Sequence, residues 1–191
     1  MSISSSASIK SRAGYSLVEL LIVLSIAAIV LALGVPSMRL FVKDANLSGH
    51  TVSLLNTIIR GRNEALSRAS YVTLCAASED LASCKTSGAN WSDGWLLFVD
   101  QGVSLQYDEG DTLLQVKGAS DQVSVVADSG LGTAISFSAK GFAQSATSTT
   151  AGRLIICDDR KSVDKSRAII VNRLGNSSLS KTVADASTAC G

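Results

Sequence analysis

The chain has 191 residues, 46 % of them hydrophobic, with 17 basic and 16 acidic side chains and a net charge of +1. That leaves room for one membrane or targeting segment and one globular domain. It excludes a multi-span membrane protein, because only one stretch is long and apolar enough to cross a bilayer.

In chain order, the first segment is Ser-rich and its only charges are Lys10 and Arg12. Next comes RAGYSLVE (Arg12 to Glu19), which opens onto the apolar run LLIVLSIAAIVLALGV. Residues 15–35 would span about 31 Å as a helix, enough to cross the hydrocarbon core. Glu19 is the one ionisable group in that run. A secretory signal peptide would offer a basic start, an apolar middle and Ala32-Leu33-Gly34 as a cleavage site, but its apolar region is normally shorter and uncharged. A plain anchor leaves Glu19 unexplained, since a carboxylate in lipid is costly and marks function by default. The basic residues ahead of the run place that end in the cytoplasm and the rest of the chain outside it.

Gly34 and Pro36 are expected to loosen or kink the helix. Beyond them, residues 40–69 return to helical spacing. Leu47, Thr51, Leu54, Ile58, Ala65 and Ala69 form one stripe, widened by Leu55, Ile59 and Leu66. This stripe should face a sheet, with Arg60, Arg62, Asn63 and Arg68 mostly off it. His50 reads as an ordinary helix residue.

After Ser70 the texture changes to short β-rich runs split by turn residues. Strands are expected at 71–76, 94–99, 112–116, 122–127, 134–138, 153–157 and 167–171. Residues 91–95 (WSDGW) form a turn entering WLLFVD. The polar, small stretch 144–152 (QSATSTTAG) reads as a mobile loop, and 176–191 as a weakly patterned tail held by Cys190. No internal repeat is evident.

Four cysteines, Cys75, Cys84, Cys157 and Cys190, suit an oxidising exterior. They fall as one close and one distant pair. Of three connectivities, Cys75–Cys84 with Cys157–Cys190 is preferred, against four reduced core thiols as the plain alternative. With no CxxC and one His, a zinc site is disfavoured. The usual nucleophile–base and metal–base sets lack members, so neither a catalytic residue nor a cofactor is expected. Residues 107–111 (YDEGD) could offer oxygens to calcium, but a hairpin turn between 103–106 and 112–116, with Gly110 at positive φ, is preferred.

Charge is unevenly placed. Residues 75–130 hold nine acidic and two basic side chains, and residues 131–191 hold eight basic and four acidic. Opposite-signed faces would suit packing against other subunits; solvated loops are the plain alternative.

At RAGYSLVE and the run after it, the chain resembles a type IV prepilin or pseudopilin. The resemblance implies a leader, residues 1–14, cut after Gly14 by a prepilin peptidase that also methylates the new N-terminus at Tyr15. Ser16 and Glu19 then stand second and fifth in the mature chain, as in that family, although Tyr15 replaces its usual Phe. Glu19 would set assembly register by meeting a neighbour's N-terminal amine, since a buried carboxylate needs an opposite charge. Pro36 also falls where many pilins carry a helix-bending proline.

GRNEALSRASYVTLC (Gly61 to Cys75), WSDGWLLFVD, ISFSAKGF and the terminal Cys-Gly resemble the GspH/FimT branch. The implied fold is α+β and pilin-like, a long N-terminal helix packed on antiparallel β-sheets. Residues 15–36 form its transmembrane half, 37–70 its amphipathic half and 71–191 an extracytoplasmic β-rich domain.

The implied function is that of a structural minor pilin of the FimT/FimU kind. Its partners would be other pilin subunits, the prepilin peptidase and the inner-membrane assembly platform, at the inner membrane with the domain in the periplasm and then in a filament. A minor pseudopilin of type II secretion is the alternative. Some members of the branch are DNA receptors with an arginine-bearing motif after the last strand. Here that position reads Arg173-Leu174-Gly175-Asn176-Ser177-Ser178, leaving only Arg173 and Lys181 nearby, which disfavours nucleic acid.

Overall fold

The computed structural model describes residues 14–146, 152–181, 183 and 190. The chain divides into two compact units, Met1–Phe41 and Val42–Gly191, and helix α1 (Leu17–Arg68) contributes to both.

In the first unit, α1 begins where the Leu20 amide donates to the Ser16 carbonyl at 3.1 Å. Glu19 lies in the first turn, where a negative charge complements the helix dipole. The helix runs unbroken through Gly34 and Pro36, so these residues do not end it. Every residue described from 14 to 35 is exposed, and the apolar side chains surround the helix on all sides. A helix of that kind suits lipid or a protein interior rather than water. By length and composition it can cross a membrane.

In the second unit, the last turns of α1 bury Leu47, Thr51, Leu54, Ile58, Gly61 and Ala65, a run of alternating four- and three-residue steps. The Thr51 hydroxyl donates to the Leu47 carbonyl at 2.7 Å, so its burial leaves no polar group unpaired. The expected stripe is narrower than its sequence suggests. Ile59 and Leu66 are 43 % and 45 % exposed, and Ala69 is exposed beyond the helix end at φ 50°. At about 100° per residue, positions 59 and 66 stand roughly 100–120° from the stripe's centre, too far round to reach the core.

Among the described residues nine strands follow: β1 (Val72–Ala76), β2 (Gly94–Val99), β3 (Thr112–Gly118), β4 (Ser124–Ala127), β5 (Ala134–Phe137), β6 (Ala143–Ser145), β7 (Gly152–Cys157), β8 (Arg167–Val171) and β9 (Ser177–Ser180). They form a five-stranded sheet in the order β3-β2-β1-β5-β6 and a four-stranded sheet in the order β4-β7-β8-β9. Every pairing between these strands is antiparallel. The sheets meet at the Asn90–Val126 bridge, where the Trp91 amide donates to the Val125 carbonyl.

β1 and β2 are buried along their whole length because both faces are covered. Val72, Leu74, Trp95 and Leu97 join Leu54 and Ile58 in the main core. On the reverse face, Cys75, Leu96 and Phe98 lie under Leu81, Leu105 and Tyr107.

Three expectations are corrected. Residues 103–106 are not a strand, and β3 pairs with β2 instead. Asp100, 1 % exposed, takes hydrogen bonds from the Ser104 and Leu105 amides and from Thr73 Oγ1, and these curl the chain away from extended pairing. Within the stretch read as a loop, 144–145 belong to β6 and 152 to β7, while 147–151 lie outside the described residues. The weakly patterned tail contains β9, paired to β8 across a hairpin at Asn172–Asn176. Gly110 does take positive φ, at 99°.

Candidate functional site

The residues singled out at the N-terminal end are presented in the open. Tyr15 is 86 % exposed. A methyl group built on Gly14 would meet nothing within 4 Å, and the backbone there needs no positive φ. The fold of the chain therefore gives no reason for glycine at position 14. By contrast, a Cβ at Gly94 would stand 2.0 Å from the Lys117 carbonyl oxygen, and one at Gly175 would stand 2.1 Å from that of Gly141. Among the described residues no cation pairs with Glu19, whose surroundings are the exposed apolar side chains of α1.

The cysteines form two disulfides, Cys75–Cys84 and Cys157–Cys190, with Cα separations of 5.7 and 6.3 Å. The first ties the end of β1 to the loop that covers the reverse face of the five-stranded sheet. The second holds position 190 against β7, where Cys157, Cys190, Ile155, Ala168 and Val183 form a small core of their own.

A cluster of charges that the sequence did not signal joins α1 to the β7–β8 connection. Arg160 donates to Asp44 at 2.6 Å and pairs with Asp158, and Lys43 meets Asp159 at 2.5 Å. The hydrogen bond from Arg160 holds the Asp44 carboxyl below the usual carboxylate range, with Lys165 adding to it. The lysine beside Asp159 does the same there. The only hint in the sequence was the run Asp158-Asp159-Arg160-Lys161. Of the remaining pairs, Arg153 with Asp128 at 3.2 Å joins the basic stretch to the acidic one, whereas Lys85 with Asp93 lies within the acidic stretch.

Some of the charges left without an ion-pair partner lie at the two edges of the five-stranded sheet. Asp108, Glu109 and Asp121 flank β3, exposed and without a cation among the described residues. Beyond β6 an open groove of about 490 Å³ is lined by Tyr71, Phe142, Leu174 and Arg173, among others. Arg62 holds this region together: its guanidinium donates to the Gly141 carbonyl at 3.1 Å and the Leu174 carbonyl at 3.2 Å. Arg173 stands in the β8–β9 turn, and its own carbonyl accepts the Ala143 amide. Lys181 follows β9, exposed, at the far end of that strand from Arg173. The two candidate phosphate contacts are therefore not brought together on one turn.

His50 rests edge-on against Trp95, with ring centroids 6.2 Å apart, and burial lowers its pKa, helped by the Lys117 charge. In the 107–111 stretch, Asp111 accepts the Gln101 and Asp108 amides, as a turn-forming side chain does. Among the described residues no group of three His, Cys, Asp or Glu side chains converges on a common point.

Residues 9–35 match the prokaryotic N-terminal methylation motif, and residues 50–175, well over half of the chain, match the family described as type II transport protein GspH. No curated protein matches. A crystal structure of the Pseudomonas aeruginosa type IV minor pilin FimU is similar in fold, with a TM-score of 0.56 at 15 % identity over 73 % of this chain and 92 % of that one. A second crystal form of FimU matches over 72 % of this chain and 90 % of that one, at 15 % identity and a TM-score of 0.48. The fold agrees with the pilin-like helix and antiparallel sheets that the sequence implied. The chain belongs to the GspH family of pilin-like proteins and carries the N-terminal methylation motif of prokaryotic pilins.

Proposed function

We propose that the chain is a structural minor pilin that primes or supports the assembly of a type IV pilus. A prepilin peptidase cuts between Gly14 and Tyr15 and methylates Tyr15. Residues 15–36 hold the subunit in the inner membrane, bent at Gly34 and Pro36, and residues 71–191 fold in the periplasm. The assembly platform then moves it into the filament, where Glu19 meets the N-terminal amine of a neighbour. The observation that carries this reading is the exposed apolar turn of α1 with Glu19 in it, just after a glycine that the fold does not require. An unmatched carboxylate in lipid is penalised, so pairing with an incoming amine favours one axial register.

Gly14→Ala should leave an uncut precursor on a denaturing gel, and normal processing of that variant would refute the cleavage site. Glu19→Ala should be processed and inserted as before but recovered from sheared filaments at a small fraction of the wild-type amount. The match to the family described as type II transport protein favours one second reading, a minor pseudopilin of type II secretion. Deleting the gene separates the two. Loss of surface pili with secretion intact supports the pilus, and the reverse result supports secretion.

A further inference from the structure

We propose that the β3 edge of one copy docks into the Phe142–Leu174 groove of a second copy, joining the domains head to tail. This rests on reading the chain as a filament subunit. The two surfaces stand at opposite edges of one five-stranded sheet, β3 at one end of the order and β6 at the other. Four strand spacings, about 19 Å, separate β3 from β6, and the groove reaches back past the end of β5 to Tyr71 at the start of β1.

The β3 edge has the marks of a surface awaiting a partner. It is seven residues long with no strand on its outer side among the described residues, and Leu113 and Val116 are each 41 % exposed. Open edges of this length are normally shortened, charged along the strand or covered. Here Lys117 is the strand's one charge, and it stands near enough to His50 to add to the lowering of the imidazole pKa that burial causes. The acids Asp108, Glu109 and Asp121 instead stand at the two ends of the strand, rimming the apolar pair.

The groove carries the opposite pattern. Phe142 and Leu174 are 49 % and 57 % exposed, and Tyr71 and Arg173 share the lining with them. Lys140, in the β5–β6 turn, is also exposed, and neither cation has a side-chain partner among the described residues. Apolar side chains ringed by acids thus face an apolar groove ringed by bases, an arrangement that sets orientation and suppresses like-with-like docking. Because the two patches differ, the contact is heterologous, and repetition builds an open chain unless the rotation closes it. A single nucleic-acid strand would use the same aromatic rings and cations. It is the weaker occupant, because Arg62 is tied to the Gly141 and Leu174 carbonyls, leaving Arg173 and Lys140 where a tracking groove needs a row.

The test uses the full-length chain co-expressed in two tagged forms, Val116→Cys in one and Leu174→Cys in the other. The native cysteines are already in disulfides. A short bis-maleimide should give a mixed-tag dimer, and far less product when both forms carry Val116→Cys or both carry Leu174→Cys. Arg173→Glu in the Leu174→Cys form should lower the mixed yield at least about fivefold, and Glu109→Arg in the other form should restore it. Same-site dimers as strong as the mixed one, or no mixed dimer, would overturn the interface. So would retardation of single-stranded DNA that is lost with Arg173→Glu while the mixed dimer is absent. Processing and filament recovery are scored in the same cells. A processed, filament-borne chain without mixed dimers removes this interface alone, whereas mixed dimers of an unprocessed chain keep the interface and remove the filament reading.

Discussion

The two units are held together on opposite terms. In Val42–Gly191 most of the described large apolar side chains are packed against others of the chain, and Gly94, Gly152 and Gly175 sit where a methyl group would strike backbone. In Met1–Phe41 the described apolar side chains are exposed, and neither Gly14 nor Gly34 has a neighbour within 4 Å of a built Cβ. Residues of the domain are explained by what they touch. Those of the N-terminal unit are not explained by anything they touch in the chain; on the function proposed, their surroundings are lipid and neighbouring subunits.

Glycine substitution is the sharpest way to break that contrast. Gly94→Ala should destabilise the domain by about 3–5 kcal/mol, since its φ of 122° and the Lys117 carbonyl 2.0 Å from a built Cβ act together. The fluorescence of Trp91 and Trp95, both buried in the domain, reports its unfolding in detergent. Removing the Cys157–Cys190 bridge by Cys190→Ser should cost about 3.7 kcal/mol by loop-closure entropy, and Cys84→Ser about 2.6 kcal/mol, for sequence separations of 33 and 9. Reduction of the wild type should shift the same fluorescence transition. Gly34→Ala should leave the domain transition unchanged and strengthen the helix by about 1 kcal/mol, seen as slower amide exchange around position 34. A shift in the domain transition on Gly34→Ala would mean that the two units are not separable.

The smallest expected effect concerns pH. Burial, with Lys117 nearby, lowers the pKa of His50 below that of the unfolded chain. Between those two values the unfolded state binds more protons, so stability is full above about pH 6.5 and declines as pH falls below it. His50→Gln should flatten that part of the profile and leave the decline below about pH 4, where Asp44 and Asp159 lose the charges that Arg160 and Lys43 hold. A profile unchanged by His50→Gln would show that burial and Lys117 do not shift the imidazole in the folded chain.

The same contrast explains what the sequence made legible. The anchor and its lone carboxylate could be read directly, because lipid imposes a simple rule on composition. The strands VTLCA, GWLLFV and RAIIV could be read because apolar runs bounded by turns mark doubly covered strands. β6 (AQS) and β9 (SSLS) could not, since short edge strands of small and hydroxyl residues take their extended form from a neighbour's hydrogen bonds. Residues 103–106 misled for the opposite reason. VSLQ has strand propensity, but the buried Asp100 carboxylate captures its amides first. Periodicity placed the helix stripe correctly and its width too generously, because it cannot say how far round the helix the sheet reaches. Arg62 and the Asp44–Arg160 pair join residues 79 to 116 positions apart, beyond any local pattern.

The place of β1 at the centre of its sheet has a kinetic consequence. β2 and β3 can pair as soon as they are made, since they follow each other in the chain. β1 must wait for its second neighbour, because Val72 pairs with Phe137, 65 positions later. Closing so long a loop before any contact rewards it makes folding slow. Until β5 arrives, one side of β1 is a bare strand edge on a chain that is still incomplete. A tether at the N-terminal end confines such a chain to a surface, where its encounters with other half-made chains depend on how many are inserted nearby.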